Sequence, residues 1–376
     1  MELFFMKRQA RVLILTVGYG HGHRSAAEAI AERFHARGVS VRIEDPCEAD
    51  TTGLYAITKE YYQFCVRRAP WLWSVAYSQT ETADWHSKVK WPIVRRATAH
   101  LRDIIRSWRP DVVISTYPLF AYMVDYLRNS GLCRVPSAVV VTDAIEISKP
   151  WVKADFDALF VPDEFSADSL INRYGLNAAS IYATGFPVRS AFVHSGTKEL
   201  PNGNNLQILL GVHINPGNAV KLISLIFSQF PFARTVVLAG THYRLLQKRL
   251  CGETFANQLT ILETTDRMSE LLSDAHLYIG KTGAATMFEC YASGVPVLAN
   301  YALPGQEQGN LELLLRDGCG YWVDSVRDCC DKISELLSNG ACQWQRLRNN
   351  MFNMRRRVQG AERIVDIIIE KYCHEK

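Results

Sequence analysis

No window of this chain approaches the roughly 18 apolar residues needed to span a bilayer, and its first residues lack a basic region ahead of a long apolar stretch. A membrane-spanning helix and a secretory leader are therefore not expected. Ten cysteines are present, but they form no Cys-x-x-Cys pattern, and only Cys329 and Cys330 stand close, so no zinc spacing exists. A reduced, cytoplasmic setting follows as the expectation. Charge of one sign is also scarce: a net +4 over 376 residues is too small to decide between nucleic acid, membrane and neither. Low-complexity tracts and short repeats are absent, as is any Asp-x-Asp motif suited to holding a metal on a diphosphate.

What the chain has is length and alternation. At 376 residues it exceeds what one core usually serves, so two domains of roughly 150–200 residues are expected. Residues 11–17, 39–44, 111–116, 138–142, 158–161 and 181–184 read as strands, with helical segments between several of them. This predicts an α/β fold built on a doubly wound parallel sheet. The polar stretch 195–205 reads as a linker, and the pattern then restarts at 207–210, 235–238, 259–262, 277–279 and 297–300. The expected division is a domain over 1–195, a second over 205–345, and a helical segment over 346–376 able to cross back onto the first.

Two loops carry the chemistry. After the first strand comes Gly18-Tyr-Gly20-His-Gly22-His23, then a helix whose Ala26, Ala27, Ile30, Ala31 and Phe34 share a face and which Gly38 ends. Counting G-x-G-x-x-G from Gly18 puts His23 where the third glycine belongs; counting from Gly20 puts Ser25 there. The pair Glu44 and Asp45 follows the next strand, which keeps a dinucleotide site open, although an imidazole is a poor cradle for pyrophosphate. A histidine at a helix N-terminus instead has its pKa lowered by the dipole, stays neutral and can accept a proton. A capping or solvent-facing loop histidine is the bland alternative for His23, and for His21 as well.

In the second loop, the apolar run 276–280 reads as a buried strand, Gly283 permits a tight turn, and 284–293 reads as a helix stopped by Gly294. Such a turn aims free backbone N–H groups and the positive end of a helix dipole at one point, which suits a diphosphate. Lys281, Thr282 and Thr286 are further donors, and Ala284 and Ala285 leave room for close approach. Glu289 sits about one and a half turns in, where it can accept from ribose hydroxyls; Gln306 and Glu307 offer polar groups to a sugar. A packing turn, a structural salt bridge and a polar loop remain the competing readings.

Gly20-His-Gly-His23-Arg-Ser-Ala-Ala-Glu28, Val141-Thr142-Asp143, Thr184-Gly-Phe-Pro-Val-Arg189, the 280–289 turn and Pro304-Gly-Gln-Glu-Gln-Gly-Asn310 are spread over nearly the whole chain. In these pieces and their order the chain resembles the monogalactosyldiacylglycerol synthases and processive diacylglycerol glucosyltransferases of glycosyltransferase family 28. The resemblance implies the GT-B architecture, two Rossmann-like domains facing across a cleft. It implies that His23 deprotonates the acceptor hydroxyl; Asp143, at the end of a strand, is placed to orient His23 or the acceptor, or equally to cap a helix. On the donor side it implies Gly22, Arg189, Met268, Lys281, Thr282, Gly283, Ala284, Ala285, Thr286, Glu289, Gln306, Glu307 and Asn310. Backbone groups near Met268 would read uracil, whereas the residues alone read Met268 and Leu271 equally as ordinary core, with Asp266 as the cap of the helix that begins there. Arg189 would reach the diphosphate or sugar, an interdomain salt bridge being its other reading. No metal and no cofactor are implied, since the UDP-sugar is the donor substrate. Two segments depart from the family pattern: Gly211-Val-His213-Ile-Asn215-Pro-Gly217, and 144–151 after the Thr142-Asp143 pair.

Between residues 54 and 109 the composition shifts. Trp71, Trp73, Trp85, Trp91 and Trp108 fall there, with ten lysines and arginines against four acids. Indoles and long cations together suit the headgroup boundary of an anionic membrane. Phe64, Trp71, Trp73 and Tyr77 are the first candidates for touching lipid. A buried insertion with a solvated basic face is the alternative; no nucleic-acid signature accompanies the charge. The expected protein is a peripheral, monotopic, inverting and metal-independent glycosyltransferase that moves a hexosyl group from a UDP-sugar to a diacylglycerol-like hydroxyl. A UDP-sugar 2-epimerase of the same architecture and a non-catalytic nucleotide-sugar-binding protein are its rivals.

Overall fold

The computed structural model describes residues 9–18, 22–49, 53, 55–58, 60–61, 78–193, 198–213 and 215–373. It divides into two compact units: Met1–Arg189 with Pro304–Gly309 and Arg356–Lys376, and Ser190–Leu303 with Asn310–Arg355.

The first unit is built on β1 (Arg11–Leu15), β2 (Ser40–Glu44), β3 (Val112–Ser115), β4 (Ser137–Val140), β5 (Ala158–Val161) and β6 (Ile181–Ala183). All pairs are parallel, in the order β2-β1-β3-β4-β5-β6. β3, β4 and β5 are buried at every position, because helices cover both faces of the sheet and force continuous apolar runs rather than alternation. On one face the helices Gly22–Ala36 and Gly360–Tyr372 pack Ile30, Phe34, Ile364 and Ile368 onto Ile14 and Ile114. The other is covered by Pro92–Trp108 and Pro118–Asn129, whose Leu101, Ile105 and Phe120 meet Leu13 and Leu15. Each such large apolar side chain contributes about 1.5–3 kcal/mol through burial.

The terminal helix is tied to the first by an Arg37–Asp366 ion pair of 2.8 Å and by Arg33 and Arg37 with Glu362. The returning chain crosses Gly185, whose φ is 97° and whose added Cβ would lie 2.2 Å from the Arg356 carbonyl oxygen. Only glycine tolerates both that conformation and that approach.

The second unit repeats the plan with β7 (Gln207–Gly211), β8 (Arg234–Leu238), β9 (Leu259–Leu262), β10 (Leu277–Lys281), β11 (Val297–Tyr301) and β12 (Gly320–Trp322). The order is β12-β11-β10-β7-β8-β9, again all parallel. Its core gathers Leu222, Ile226, Ile279, Leu298 and Trp344. β12 was not among the sequence expectations; three residues opening on glycine carry too short an apolar pattern to register.

The boundaries also differ from the expected ones. The first division falls between Arg189 and Ser190 rather than at 195, because Phe192 is fully buried and its carbonyl accepts from Ser293 Oγ at 3.1 Å. The return to the first unit falls at Arg356 rather than 346, and Pro304–Gly309 joins the first unit, which no sequence pattern indicated. Among the described residues no helix is long and apolar enough to cross a membrane.

Candidate active site

In the first sheet the strand order reverses between β1 and β3, and at such a reversal the loops beyond the carboxyl ends of the strands leave a crevice. His23 follows β1 as the second residue of the helix Gly22–Ala36, Thr116 and Tyr117 follow β3, and Thr142 and Asp143 follow β4. His23 Nδ1 lies 2.9 Å from Thr142 Oγ1, and Thr116 Oγ1 donates to the His23 carbonyl at 3.2 Å. The imidazole meets Tyr117 edge-on at 5.2 Å and Trp151 at 6.1 Å. Burial lowers its pKa to about 4, against a smaller raising contribution from the Thr116 backbone hydrogen bond. The ring is therefore neutral near pH 7. If Thr142 takes the Nδ1 proton in its hydrogen bond, Nε2 carries a lone pair able to accept a proton.

The side chain bonded to this imidazole through Nδ1 is Thr142, next to Asp143, for which the sequence leaves open orienting His23, orienting the acceptor or capping a helix. Asp143 is buried at 8% exposure, one position further along the same loop. The Val141-Thr142-Asp143 match had flagged the segment, but hydroxyl and carboxylate could not be told apart without the strand order. Gly22 opens the helix immediately before His23; His21 lies outside the described residues.

The acidic pair that kept a dinucleotide site open is otherwise engaged. Asp45 accepts from the N–H groups of Gly18 at 3.1 Å and Cys47 at 3.0 Å and from the Tyr55 hydroxyl, while Glu44 pairs with Arg42. Burial raises the Asp45 pKa, partly offset by those three bonds. Neither carboxylate is disposed as a ribose acceptor. Asp45 instead fixes the departure of the glycine loop that leads to His23.

In the second sheet the reversal falls between β7 and β10. β10 runs into Thr282, fully buried, and Gly283, which caps the helix Ala284–Ser293 before Gly294 ends it in the left-handed conformation. Gly283 has φ −62° and ψ 130°, an extended conformation open to any residue, so the turn does not depend on glycine's freedom as expected. The first-turn N–H groups of this helix have no intrahelical partner. Ala284 is buried, and Lys281, Ala285 and Thr286 are half-buried around that end. Glu289 is a buried carboxylate at 7% exposure on the same helix.

Gly280 and Gly211 lie beside one another at the ends of β10 and β7, and the Tyr278 ring occupies the space that a Cβ on either would need. Beyond β7, the segment that departs from the family pattern starts a second helix, Pro216–Gln229, with Asn215 Oδ1 accepting from Gly217 N at 2.8 Å. Sequence reasoning gave Asn215 no role, although Asn-Pro is a recognisable helix start. Met268 opens the helix Met268–Asp274, but Asp266 does not cap it. The cap position is Arg267, whose N–H is held by Thr265 Oγ1 at 3.0 Å.

Gln306 and Glu307 belong to the first unit, where Gly309 presses onto the loop of Asp143; a Cβ there would lie 2.0 Å from the Ala144 carbonyl oxygen. Glu307 is buried at 4%, and Asn310, fully buried, is assigned to the second unit. Arg189 Nη1 lies 3.8 Å from Glu28 Oε2 of the same unit.

Of the tryptophan-rich basic region, Phe64, Trp71, Trp73 and Tyr77 lie outside the described residues. The described part ends in the helix Pro92–Trp108, which buries Val94, Ala97, Leu101, Ile104 and Ile105 and exposes Arg95, Arg96, His100 and Arg106. Trp91, just before it, is 56% exposed. Among the described residues Lys90, Arg95, Arg96 and Arg106 join no ion pair, whereas Arg102 pairs with Asp103 at 2.8 Å.

Two doubly wound parallel units in one chain define the GT-B class of fold. The solved structure of MurG from Acinetobacter baumannii matches with a TM-score of 0.60 at 14% identity, covering 96% of this chain and 100% of that one. A putative UDP-N-acetylglucosamine 2-epimerase from Listeria monocytogenes matches with a TM-score of 0.64 at 13% identity, covering 96% of each chain. The family model for monogalactosyldiacylglycerol (MGDG) synthase matches residues 23–188, and that for the glycosyltransferase family 28 C-terminal domain matches residues 219–301. The processive diacylglycerol beta-glucosyltransferase of Bacillus thuringiensis (strain Al Hakam) is 27% identical over 97% of this chain and 95% of its own length. Its counterpart in Bacillus cytotoxicus matches with the same identity and the same shares. The chain belongs to the monogalactosyldiacylglycerol synthase and diacylglycerol glucosyltransferase family, within glycosyltransferase family 28, and is a glycosyltransferase of that family.

Proposed function

We propose that this enzyme moves a hexosyl group from a UDP-sugar to the free hydroxyl of a diacylglycerol, inverting the anomeric centre and using no metal ion. The observation that carries this reading is the neutral imidazole of His23, oriented through Nδ1 by Thr142. In the proposed step His23 Nε2 takes the acceptor proton as the hydroxyl oxygen attacks the anomeric carbon and the bond to UDP breaks. The N–H groups at the start of the helix Ala284–Ser293 stabilise the charge on the departing diphosphate, helped by Thr282, Thr286 and Lys281. Glu289 accepts from the ribose, backbone groups near Met268 read the uracil, and Gln306, Glu307 and Asn310 hold the sugar. Arg189 neutralises part of the diphosphate charge.

The acceptor is a membrane lipid in this reading, and the enzyme works at an anionic bilayer surface. The exposed cations of the helix Pro92–Trp108, beside the exposed indole of Trp91, support that placement. The test is incubation with labelled UDP-galactose, UDP-glucose and UDP-N-acetylglucosamine plus mixed liposomes containing diacylglycerol, followed by analysis of the lipids. Label in a glycosyl-diacylglycerol is expected. Conversion of UDP-N-acetylglucosamine without acceptor would identify an epimerase instead, and tight UDP-sugar binding with no transfer to any lipid would leave a sensor.

A further inference from the structure

Glu81 is far from His23 in sequence and belongs to none of the segments that carry the family resemblance, yet it holds a wall of the histidine's surroundings. Trp151, 2% exposed, closes the short helical turn Lys149–Trp151. Lys149 is the first residue of that turn, so its N–H has no partner within the turn. Glu81 supplies it: Oε1 accepts from Lys149 N at 3.0 Å. A carboxylate accepting a backbone N–H makes a charge-assisted bond, stronger than the neutral kind.

Glu81 is itself held on several sides. Its Oε2 lies 3.9 Å from Arg173 Nη2, and the neighbouring Tyr174 hydroxyl donates to the Ile147 carbonyl at 3.2 Å, fixing the start of the same loop. The stretch that follows Glu81 is anchored independently. Trp85 Nε1 donates to the Thr80 carbonyl at 3.0 Å, the Trp85 ring stacks on Tyr122, and His86 Nε2 lies 3.0 Å from the buried carboxylate of Asp125. Glu81 therefore presents its carboxylate from a fixed base.

We propose that Glu81 is a positioning residue for transfer: by capping the Lys149–Trp151 turn it holds the Trp151 indole against the His23 imidazole. The inference rests on the reading of His23 as the base. Among the described residues the groups shown against His23 are Thr116, Tyr117, Thr142 and Trp151, none of which carries a charge near neutral pH. Desolvation is what keeps the ring neutral to low pH, so a displaced indole lets water in and raises the ring's affinity for a proton.

The test compares Glu81→Ala and Glu81→Gln with the native enzyme in three readouts: transfer rate against pH with donor saturating, UDP affinity, and the NMR titration of the His23 ring. With Glu81→Ala, the acid limb of the rate profile and the ring's titration midpoint are both expected to move up by about one pH unit or more, with UDP affinity unchanged. Glu81→Gln keeps an oxygen to accept from Lys149 and is expected to behave as native. An unmoved titration midpoint in Glu81→Ala would overturn the proposal, as would Glu81→Gln proving as altered as Glu81→Ala. Should Glu81→Ala fail to fold, Trp151→Phe replaces it and must move the same midpoint with Glu81 intact. His23→Ala run in parallel separates the two readings: full turnover without His23 removes the base assignment and this proposal together. An inactive His23→Ala beside an unaltered Glu81→Ala removes this proposal alone.

Discussion

Thr142 Oγ1 lies 2.9 Å from His23 Nδ1, across a separation of 119 positions, and it is the side-chain hydrogen bond that fixes the imidazole's orientation. Thr142→Val keeps the shape and removes the hydroxyl. It is expected to lower the transfer rate about tenfold, against about 10²–10⁴-fold for His23→Ala, the usual contribution of a general base. UDP affinity by calorimetry should be unchanged in both, because the proposed diphosphate contacts lie elsewhere. An undiminished rate in Thr142→Val would show that the imidazole needs no such orientation.

The two low histidine pKa values give pH dependences of definite sign. His23 acts as a base only when neutral, so the rate should hold from pH 8 to near 5 and fall as the pH approaches about 4. For stability, His276 in the second unit is the cleaner case. Its Nδ1 accepts from Gln207 N at 3.0 Å, and burial, aided by Lys198, lowers its pKa to about 4 from an ordinary 6.5. Between those values the unfolded chain binds a proton that the folded chain does not, so stability is full above pH 6.5 and is lost as the pH falls toward 4. The loss attributable to His276 is on the order of 2–3 kcal/mol. Urea midpoints measured from pH 7 to 4.5 should fall, and His276→Asn should flatten that fall.

Much of this architecture is written in continuous apolar runs. Val12–Leu15 and Val112–Ile114 are strands buried on both faces, and such runs stand out against the amphipathic helices between them. His23 was legible for a related reason, since a glycine loop followed by a helix places its first side chains at the end of a strand. Contacts that depend on strand order were not. Thr142 meets His23 only because β4 sits two places from β1 in the sheet, and alternation alone fixes no such order. Asp45 and Glu81 were legible only as acids, because the backbone N–H groups they accept from lie far away or across a loop. The glycines of the Gly185 and Gly309 segments match the family pattern by sequence, but their reason is another backbone arriving from elsewhere in the chain.

Gly185 gives a direct measure of that arrival. Phe186 N donates to the Arg357 carbonyl at 2.7 Å and Gly360 N to the Phe186 carbonyl at 3.2 Å, so the returning chain is stitched across it. Gly185→Ala meets backbone at 2.2 Å with φ at 97°, and is expected to destabilise the protein by about 3 kcal/mol or more. Gly203→Ala, with nothing within 4 Å of the added carbon, is the control and should be near neutral. Equal thermal midpoints for the two variants would contradict the crossing.

The exposed face of the helix Pro92–Trp108 separates a membrane-docking surface from ordinary solvated charge. Arg102 pairs with Asp103, whereas Arg95, Arg96 and Arg106 join no ion pair among the described residues. Near an anionic bilayer each basic residue contributes about 1 kcal/mol, so losing three should weaken vesicle binding by roughly a hundredfold. The triple variant Arg95→Gln, Arg96→Gln, Arg106→Gln is therefore expected to lose sedimentation with vesicles rich in anionic phospholipid. It should keep its rate on acceptor dispersed in detergent, where no surface has to be found. Raising the salt concentration should mimic the triple variant in the native enzyme, because screening acts on the same charges. Trp91→Ala should instead weaken binding in a way that salt does not reproduce, since the indole contributes through partition into the headgroup region rather than through charge. If the triple variant sediments as the native enzyme does, this face is a solvated one and the lipid contact lies elsewhere in the chain.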